Sequence, residues 1–421
     1  MNRVLLGCLG VASLAVLAAM VAAAPPVTGA PDEQPGGTPF FDARQRETRY
    51  AGPGRDVPEP SDVDEVLIGY FGPDDAAHPE GGDMWCGAQM AVDEANARGG
   101  YRGKRFRLVA GWSADPWGAG ASHLARLVYR DRVWAVVGGI DGASVHLAEQ
   151  VVAKARLALV SPAATDRTAN LANVPWMFSC APGDHLLAPV LAADMASRLA
   201  GGPFVVVSTD DHDSQMLAVE WLKCLAARGL VPHSHFQHPQ GSDDVGELVT
   251  RVVEARPRAV AVVAGAHASA HLVAALRGGG YGGLVFGGPS MGRRRFVDEA
   301  GPAAEGVVFP LLLAPGPAAA RFAEAFRARF GRPADYAAAY TYDAVGLLVA
   351  AIGKAGLNRA RIGDAVRDLS PWTGVTGTVT WDALGSNTRP AALGTICGGV
   401  AGPVTSPVCP CLRSGSGSGR P

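Results

Sequence analysis

Val133-Trp134-Ala135-Val136-Val137-Gly138-Gly139-Ile140-Asp141-Gly142-Ala143-Ser144 is an apolar run that breaks into glycines and small polar residues. A second run of the same kind, Leu157-Ala158-Leu159-Val160-Ser161-Pro162-Ala163-Ala164-Thr165-Asp166, follows shortly after it. The stretch between them, Val145 to Arg156, carries the periodicity of one amphipathic helix. Strand, helix and strand in this order form a βαβ unit, which makes the two strands parallel neighbours. Ligands of open α/β sheets bind outside the carboxyl ends of such strands. There, backbone N–H groups with the Ser144 and Thr165 hydroxyls can hold a small anion such as a carboxylate. They carry out no chemistry alone, so the pattern indicates binding before catalysis.

Working outward, strand and helix signals alternate along most of the chain. Strands are expected at Val66–Phe71, Phe106–Gly111, Phe204–Ser208, His233–Gln237, Ala259–Ala264 and Leu284–Gly287. Helices are expected at Cys86–Arg98, Ala119–Arg130, Met216–Arg228, Val245–Ala255, Ala268–Arg277, Ala318–Phe330 and Tyr340–Ala355. Continuous apolar strands in repeated βα units imply parallel sheets covered on both faces. Two such series imply an α/β fold of two doubly wound, Rossmann-like lobes. A late strand around Val375–Trp381 suggests a chain that crosses between lobes. The expected division is 63–182 plus 310–375 for the first lobe and 183–309 plus 376–402 for the second. Crossings fall near Gly183, Phe309 and Thr376.

The 421 residues suffice for two lobes, and 48% hydrophobic content provides for a large core. A formal net charge of −2 without a basic block argues against nucleic acid as a partner. Residues 1–30 read as an export signal: Arg3, then an apolar run from Val4 to Val21, then small residues. Left uncleaved, this segment would tether the protein to a membrane. Residues 31–62 read as a disordered leader and 403–421 as a flexible tail. Beyond the signal lie six cysteines, Cys86, Cys180, Cys224, Cys397, Cys409 and Cys411, whose connectivity the sequence leaves open. No other segment is read as long and apolar enough to span a bilayer, and no cofactor or metal is expected.

Four segments resemble, in order, the leucine/isoleucine/valine-type periplasmic binding proteins. They are Gly87-Ala88-Gln89-Met90-Ala91-Val92-Asp93-Glu94-Ala95-Asn96-Ala97-Arg98-Gly99-Gly100-Tyr101-Arg102-Gly103, Ser161-Pro162-Ala163-Ala164-Thr165, Tyr340-Thr341-Tyr342-Asp343-Ala344 and Gly374-Val375-Thr376-Gly377. The resemblance runs from about Val66 to about Leu393. It implies a type I two-lobe fold with a multi-strand hinge. It also implies the monomeric, extracytoplasmic solute-capturing component of an ABC importer, with membrane permease subunits as partners.

The resemblance further implies a carboxylate grip at Gly142, Ala143 and Ser144, with a second grip at Ala163 and Thr165. Ser214 stands where the family often has an aromatic, and a second aromatic position falls near Ala266 or His267. Ser290 stands where an acid usually pairs with the ligand ammonium. Asp141, Asp213 or Asp115 could supply the missing charge. The pocket is therefore expected to be wide and less anionic, to bind leucine, isoleucine and valine weakly, and to prefer another small carboxylate or amide-bearing solute.

Competing readings rest on other motifs. Gly288-Pro289-Ser290-Met291-Gly292 matches the nucleophile elbow G-x-S-x-G of α/β hydrolases. All ten histidines precede Ser290, so the required order of nucleophile, acid and base is missing. Gly278, Gly280 and Gly283 match a dinucleotide fingerprint but precede a strand instead of following one. His233, His235 and His238 read as exposed edge-strand residues, not metal ligands. Trp112 reads as core, and Trp117 as a possible wall of the cleft mouth. A ligand-sensing regulator with the same fold remains the alternative to a transport component.

Overall fold

The computed structural model describes residues 49–404. The expected signal, the first part of the leader, and the tail beyond residue 404 with Cys409 and Cys411 lie outside the described residues. So does the Trp117 side chain.

The first sheet has six strands in the order β13-β5-β4-β3-β1-β2, every pair parallel. Its strands are β1 (Glu65–Phe71), β2 (Arg105–Ala110), β3 (Ala135–Gly138), β4 (Leu159–Ser161), β5 (Met177–Pro182) and β13 (Ser386–Asn387). Early helices are α1 (Gly82–Ala97), α2 (Ala121–Ala125, flanked by wider helical turns) and α3 (Gly142–Ala155). The second sheet has seven strands in the order β15-β14-β10-β9-β8-β6-β7. They are β6 (Phe204–Thr209), β7 (Ser234–His238), β8 (Ala259–Val263), β9 (Leu284–Gly287), β10 (Val308–Pro310), β14 (Leu393–Cys397) and β15 (Val400–Pro403). Around it lie α4 (Asp184–Leu199), α5 (His212–Ala226), α6 (Gly246–Glu254), α7 (Ala266–Gly278) and α8 (Arg294–Ala300). The chain then supplies α9 (Pro317–Phe330), α10 (Tyr336–Ala355) and α11 (Arg359–Asp368) to the first lobe, with the hairpin β11 (Trp372–Gly374) and β12 (Gly377–Val379).

The strands read as unbroken apolar runs because helices cover both sheet faces. Val205, Val207, Val260 and Val262 point to one face of the second sheet, and Phe204, Val206, Ala259 and Ala261 to the other. The first sheet is divided in the same way, with Ile68 and Val137 on one side and Phe71 and Val136 on the other. Helix α10 is long and apolar enough to cross a bilayer by length and composition, contrary to the expectation from sequence. Its hydrophobicity has a packing cause: Ala337, Tyr340, Ala344 and Leu348 are fully buried in the first-lobe core.

Two expectations are corrected. The last crossing lies between β13, which pairs with β5, and β14, which pairs antiparallel with β10. It is not near Thr376. Asp343 keeps that stretch on the first lobe, accepting from Val375 N and Thr376 N at 2.8 Å each and from the Thr376 hydroxyl at 2.6 Å. Residues 49–62 are not a loose leader. Tyr50 is buried edge-on against Trp176, with ring centroids 5.3 Å apart. Asn358 donates to the Gly54 and Val57 carbonyls at 2.9 and 3.0 Å.

Candidate functional site

Each lobe turns the carboxyl ends of its strands toward a shared cleft of about 350 Å3. In the first lobe, β3 ends in Gly138 and Gly139, whose φ angles of +142° and +82° suit glycine. A Cβ on Gly138 would lie 2.4 Å from the Phe71 carbonyl oxygen, so the chain can turn there only without a side chain. The turn delivers Asp141 to the start of α3, where its carboxylate accepts from Ser144 N at 2.8 Å as an N-cap. Ser144 returns its hydroxyl to Asp141 and is fully buried.

In the second lobe, Asp211 caps α5 by accepting from Ser214 N at 3.0 Å. Asp213, in the first turn, reaches across the cleft. Its two carboxylate oxygens accept from Gly142 N at 2.8 and 3.0 Å. An anion at a helix N-terminus meets unpaired N–H groups and the positive end of the helix dipole. Here the Asp213 carboxyl of the second lobe takes the place such an anion would occupy. Burial pushes the Asp213 carboxyl up to about 7, and the nearby Asp141 adds to this, while the Gly142 N–H opposes it.

On the other side of the cleft, Arg293, Arg294 and Arg295 join the lobes. Arg293 donates to Asp335 at 2.6 Å and to the Glu80 carbonyl at 2.6 Å. Arg294 pairs with Asp83 at 2.9 Å, and Arg295 with Glu80. Burial works against the Arg293 charge, but the equally buried Asp335 more than offsets this and holds the guanidinium protonated.

Six of the nine residues expected from sequence line the cleft: Asp141, Ala163, Thr165, Ser214, His267 and Ser290. Gly142, Ala143 and Ser144 do not line it; they open α3, where Gly142 N donates to Asp213. Ser214 is buried and bonded to Thr209 at 2.9 Å. The His267 imidazole is engaged by Glu299 at 2.6 Å and Asp243 at 3.2 Å. The Ser290 hydroxyl donates to the Ala264 carbonyl at 2.6 Å. The Thr165 carbonyl accepts from Asp184 N at 2.8 Å, and burial raises the proton affinity of the Asp184 carboxyl well above the ordinary range.

Four carboxyl groups line the cleft, Glu80, Asp141, Asp211 and Asp213, and two guanidinium groups, Arg293 and Arg295, line it with them. Asp141 and Asp211 are there as the N-caps of two facing helices. Sequence reasoning missed Glu80, Gln240, Arg293 and Tyr336. Three consecutive arginines in a weakly charged chain were the available signal for Arg293. Of the edge-strand histidines, His233 and His235 are exposed, but His238 is buried and bonds the Ser242 carbonyl at 2.8 Å. Cys86 and Cys180 are buried, and with Cys224 they form no disulfide among the described residues.

Comparison with known proteins agrees with this architecture. The profile of the periplasmic binding protein family matches residues 65–399. An amino acid binding protein of Pseudomonas aeruginosa is 26% identical over 330 residues, covering 76% of this chain and 87% of the relative. The branched-chain amino acid transporter substrate binding protein LivJ of Streptococcus pneumoniae, solved with isoleucine, superposes with a TM-score of 0.74. It is 24% identical, covering 81% of this chain and 99% of its own. A solute binding protein of an ABC transporter from R. palustris, solved with benzoate, has a TM-score of 0.73 at 15% identity. That alignment covers 81% of this chain and 95% of the other. The chain belongs to the periplasmic binding protein family, exported proteins that bind solutes.

Proposed function

We propose that this chain captures a small polar, amino-acid-like solute between its lobes, outside the cytoplasm, and delivers it to the permease subunits of an ABC importer. In this reading the protein acts as a monomer and without catalysis. The observation that carries it is the cleft itself. Facing helix N-termini, hydroxyls and four carboxylates from both lobes converge on a space of small-molecule size. A solute carboxylate would take the N–H groups at the start of α3 from Asp213. The released Asp213, with Asp141 and Glu80, would then face the solute's ammonium or amide. Contacts from both lobes exist together only when the lobes are closed, so binding favours closure. Residues 1–30 would direct export or, uncleaved, tether the protein.

A thermal-shift screen of amino acids, small carboxylates and amides at millimolar concentration tests this. A polar or amide-bearing amino acid should raise Tm by several degrees, as mass action requires of a tight ligand. Leucine, isoleucine and valine should raise it little, because no aromatic covers the cleft at Ser214 and Asp213 competes for the carboxylate grip. A shift with leucine as large as with any polar solute would overturn this specificity. No shift with any compound of the panel would count against capture of amino-acid-like solutes.

A further inference from the structure

Beside the cleft, three side chains that the solute reading leaves unused converge from both lobes. His146 projects from the second turn of α3, Asp166 follows Thr165 in the loop after β4, and His212 is the first residue of α5. The Nε2 atoms of His146 and His212 lie 2.7 and 2.6 Å from the same oxygen, Oδ2 of Asp166. The two rings stand nearly perpendicular, with centroids 5.1 Å apart. One donor atom from each of the three residues falls within 4.8 Å of the others.

We propose that His146, Asp166 and His212 form a binding site for a divalent transition-metal ion, of the zinc type, that fastens the two lobes together in the closed arrangement.

The chemistry of the donor set carries this. Two imidazoles and one carboxylate suit zinc or cobalt, whereas calcium and magnesium take oxygen ligands. Zinc sits about 2.0–2.2 Å from such donors, which places donors about 3.3 Å from each other. The three atoms need to separate by only a fraction of an ångström to admit the ion, and a fourth position stays open for water. The surroundings have the form of an outer ligand shell. The Asp166 side chain is fully buried, and its other oxygen accepts from Thr168 N and from the Thr168 hydroxyl at 2.7 Å each. The second ring nitrogen of His146 faces Glu149 at 3.7 Å. Metal-bound histidines commonly hold a carboxylate at that nitrogen, which fixes the tautomer and raises the basicity of the ligating nitrogen. Glu149 keeps one buried carboxylate oxygen without a partner.

The site also has a mechanical meaning. His146 and Asp166 belong to the first lobe and His212 to the second, one residue before the Asp213 that reaches Gly142. An ion bound by all three holds α5 against the α3 N-terminus. It therefore binds the closed form best and stabilises that form by mass action.

The test uses the full chain stripped with chelator and titrated with Co2+ alone. One equivalent should bind and give the visible absorption of a four- or five-coordinate ion. Small-angle scattering should show a smaller radius of gyration once it is bound. His146→Gln, Asp166→Asn and His212→Ala should each weaken Co2+ binding at least about tenfold. His271→Ala, which disrupts the separate exposed group of Asp243, His267 and His271, should leave it unchanged. His212 is partly exposed, so His212→Ala is the variant that keeps its fold, checked by circular dichroism. Binding that survives His212→Ala at full strength would overturn the cross-lobe site. So would a thiolate-to-cobalt charge-transfer band, or no binding by the folded wild-type chain.

Discussion

Asp141-Gly142-Ala143-Ser144 and Asp211-His212-Asp213-Ser214 open two facing helices with one device. In both, an aspartate N-cap accepts from the N–H of a serine three residues on, at 2.8 Å in α3 and 3.0 Å in α5. Both follow a buried parallel strand, and both look into the cleft. They differ at the two positions in between. The first lobe has glycine and alanine, which leave the backbone donors open to an incoming anion. The second lobe has histidine and aspartate, whose side chains cross the gap, His212 to Asp166 and Asp213 to Gly142. One lobe offers a bare receptor and the other offers what fills it. The same local fold thus becomes a grip or a latch according to two side chains.

The strongest way to break this comparison is to give the bare lobe a side chain. A Cβ at Gly142 would meet Asp213 Oδ1 at 2.2 Å and the Asp166 Cβ at 2.8 Å. Gly142→Val should force α5 away, at an overpacking cost of about 1–3 kcal/mol in the closed form. Scattering should show an enlarged radius of gyration, and solute binding should be lost. An unchanged radius with intact affinity would mean that the two N-termini do not meet in solution.

A milder change removes the charge but keeps the reach. Asp213 has a native value of about 7 against an ordinary 3.8, so the folded protein holds a proton that the unfolded chain releases. The stability tied to that proton is complete below the ordinary value and is lost as the pH rises through about 7. Asp141, Asp166 and Asp211 face the same carboxyl and add to the effect. Asp213→Asn should therefore flatten the fall in Tm between roughly pH 4 and pH 7. Thermal melts across this range check it, and equal slopes in both proteins would contradict the assignment.

Thr165→Val tests the neighbouring rim. It strips a hydroxyl from the cleft wall while keeping the Thr165 carbonyl that accepts from Asp184 N. Solute affinity should fall by about 1–3 kcal/mol, measured by calorimetry.

The sequence made some of this legible and concealed the rest for definite reasons. Parallel strands buried on both faces declare themselves as apolar runs, and small residues at their ends mark the rim. That was enough for the α/β class and for placing Thr165 at the rim, whereas Asp141, Ala163 and Ser290 were pointed to only by the resemblance to a known family. The strands β10 and β13 have only three and two residues, too few for a periodic signal, so the last crossing was misplaced. The packed segment 49–62 was hidden because its anchor, Asn358, lies some three hundred residues away. Glu80 and Arg293 escaped for the same reason: their meaning depends on a partner in the other lobe. His146 and His212 share no spacing, and only lobe closure brings them together.

The smallest expected effect concerns Ser290, the one residue on which a catalytic reading rests. It follows β9 in a single tight helical turn, Pro289–Gly292, and not at the start of a long helix. Its hydroxyl points at the Ala264 carbonyl, which also accepts from Ser269 at 2.9 Å. Ser290→Ala therefore leaves no buried acceptor without a partner, and the cost should be below about 1 kcal/mol in both stability and solute affinity. A nucleophile would behave otherwise, since its loss typically removes orders of magnitude in rate. The measurement is a pair: Tm of the variant, and hydrolysis of a small activated ester by both proteins. Equal ester hydrolysis and near-equal Tm keep Ser290 a wall of the cleft. Ester turnover by the wild type that disappears in the variant would turn the comparison of the two lobes into one between a binding face and a reacting one.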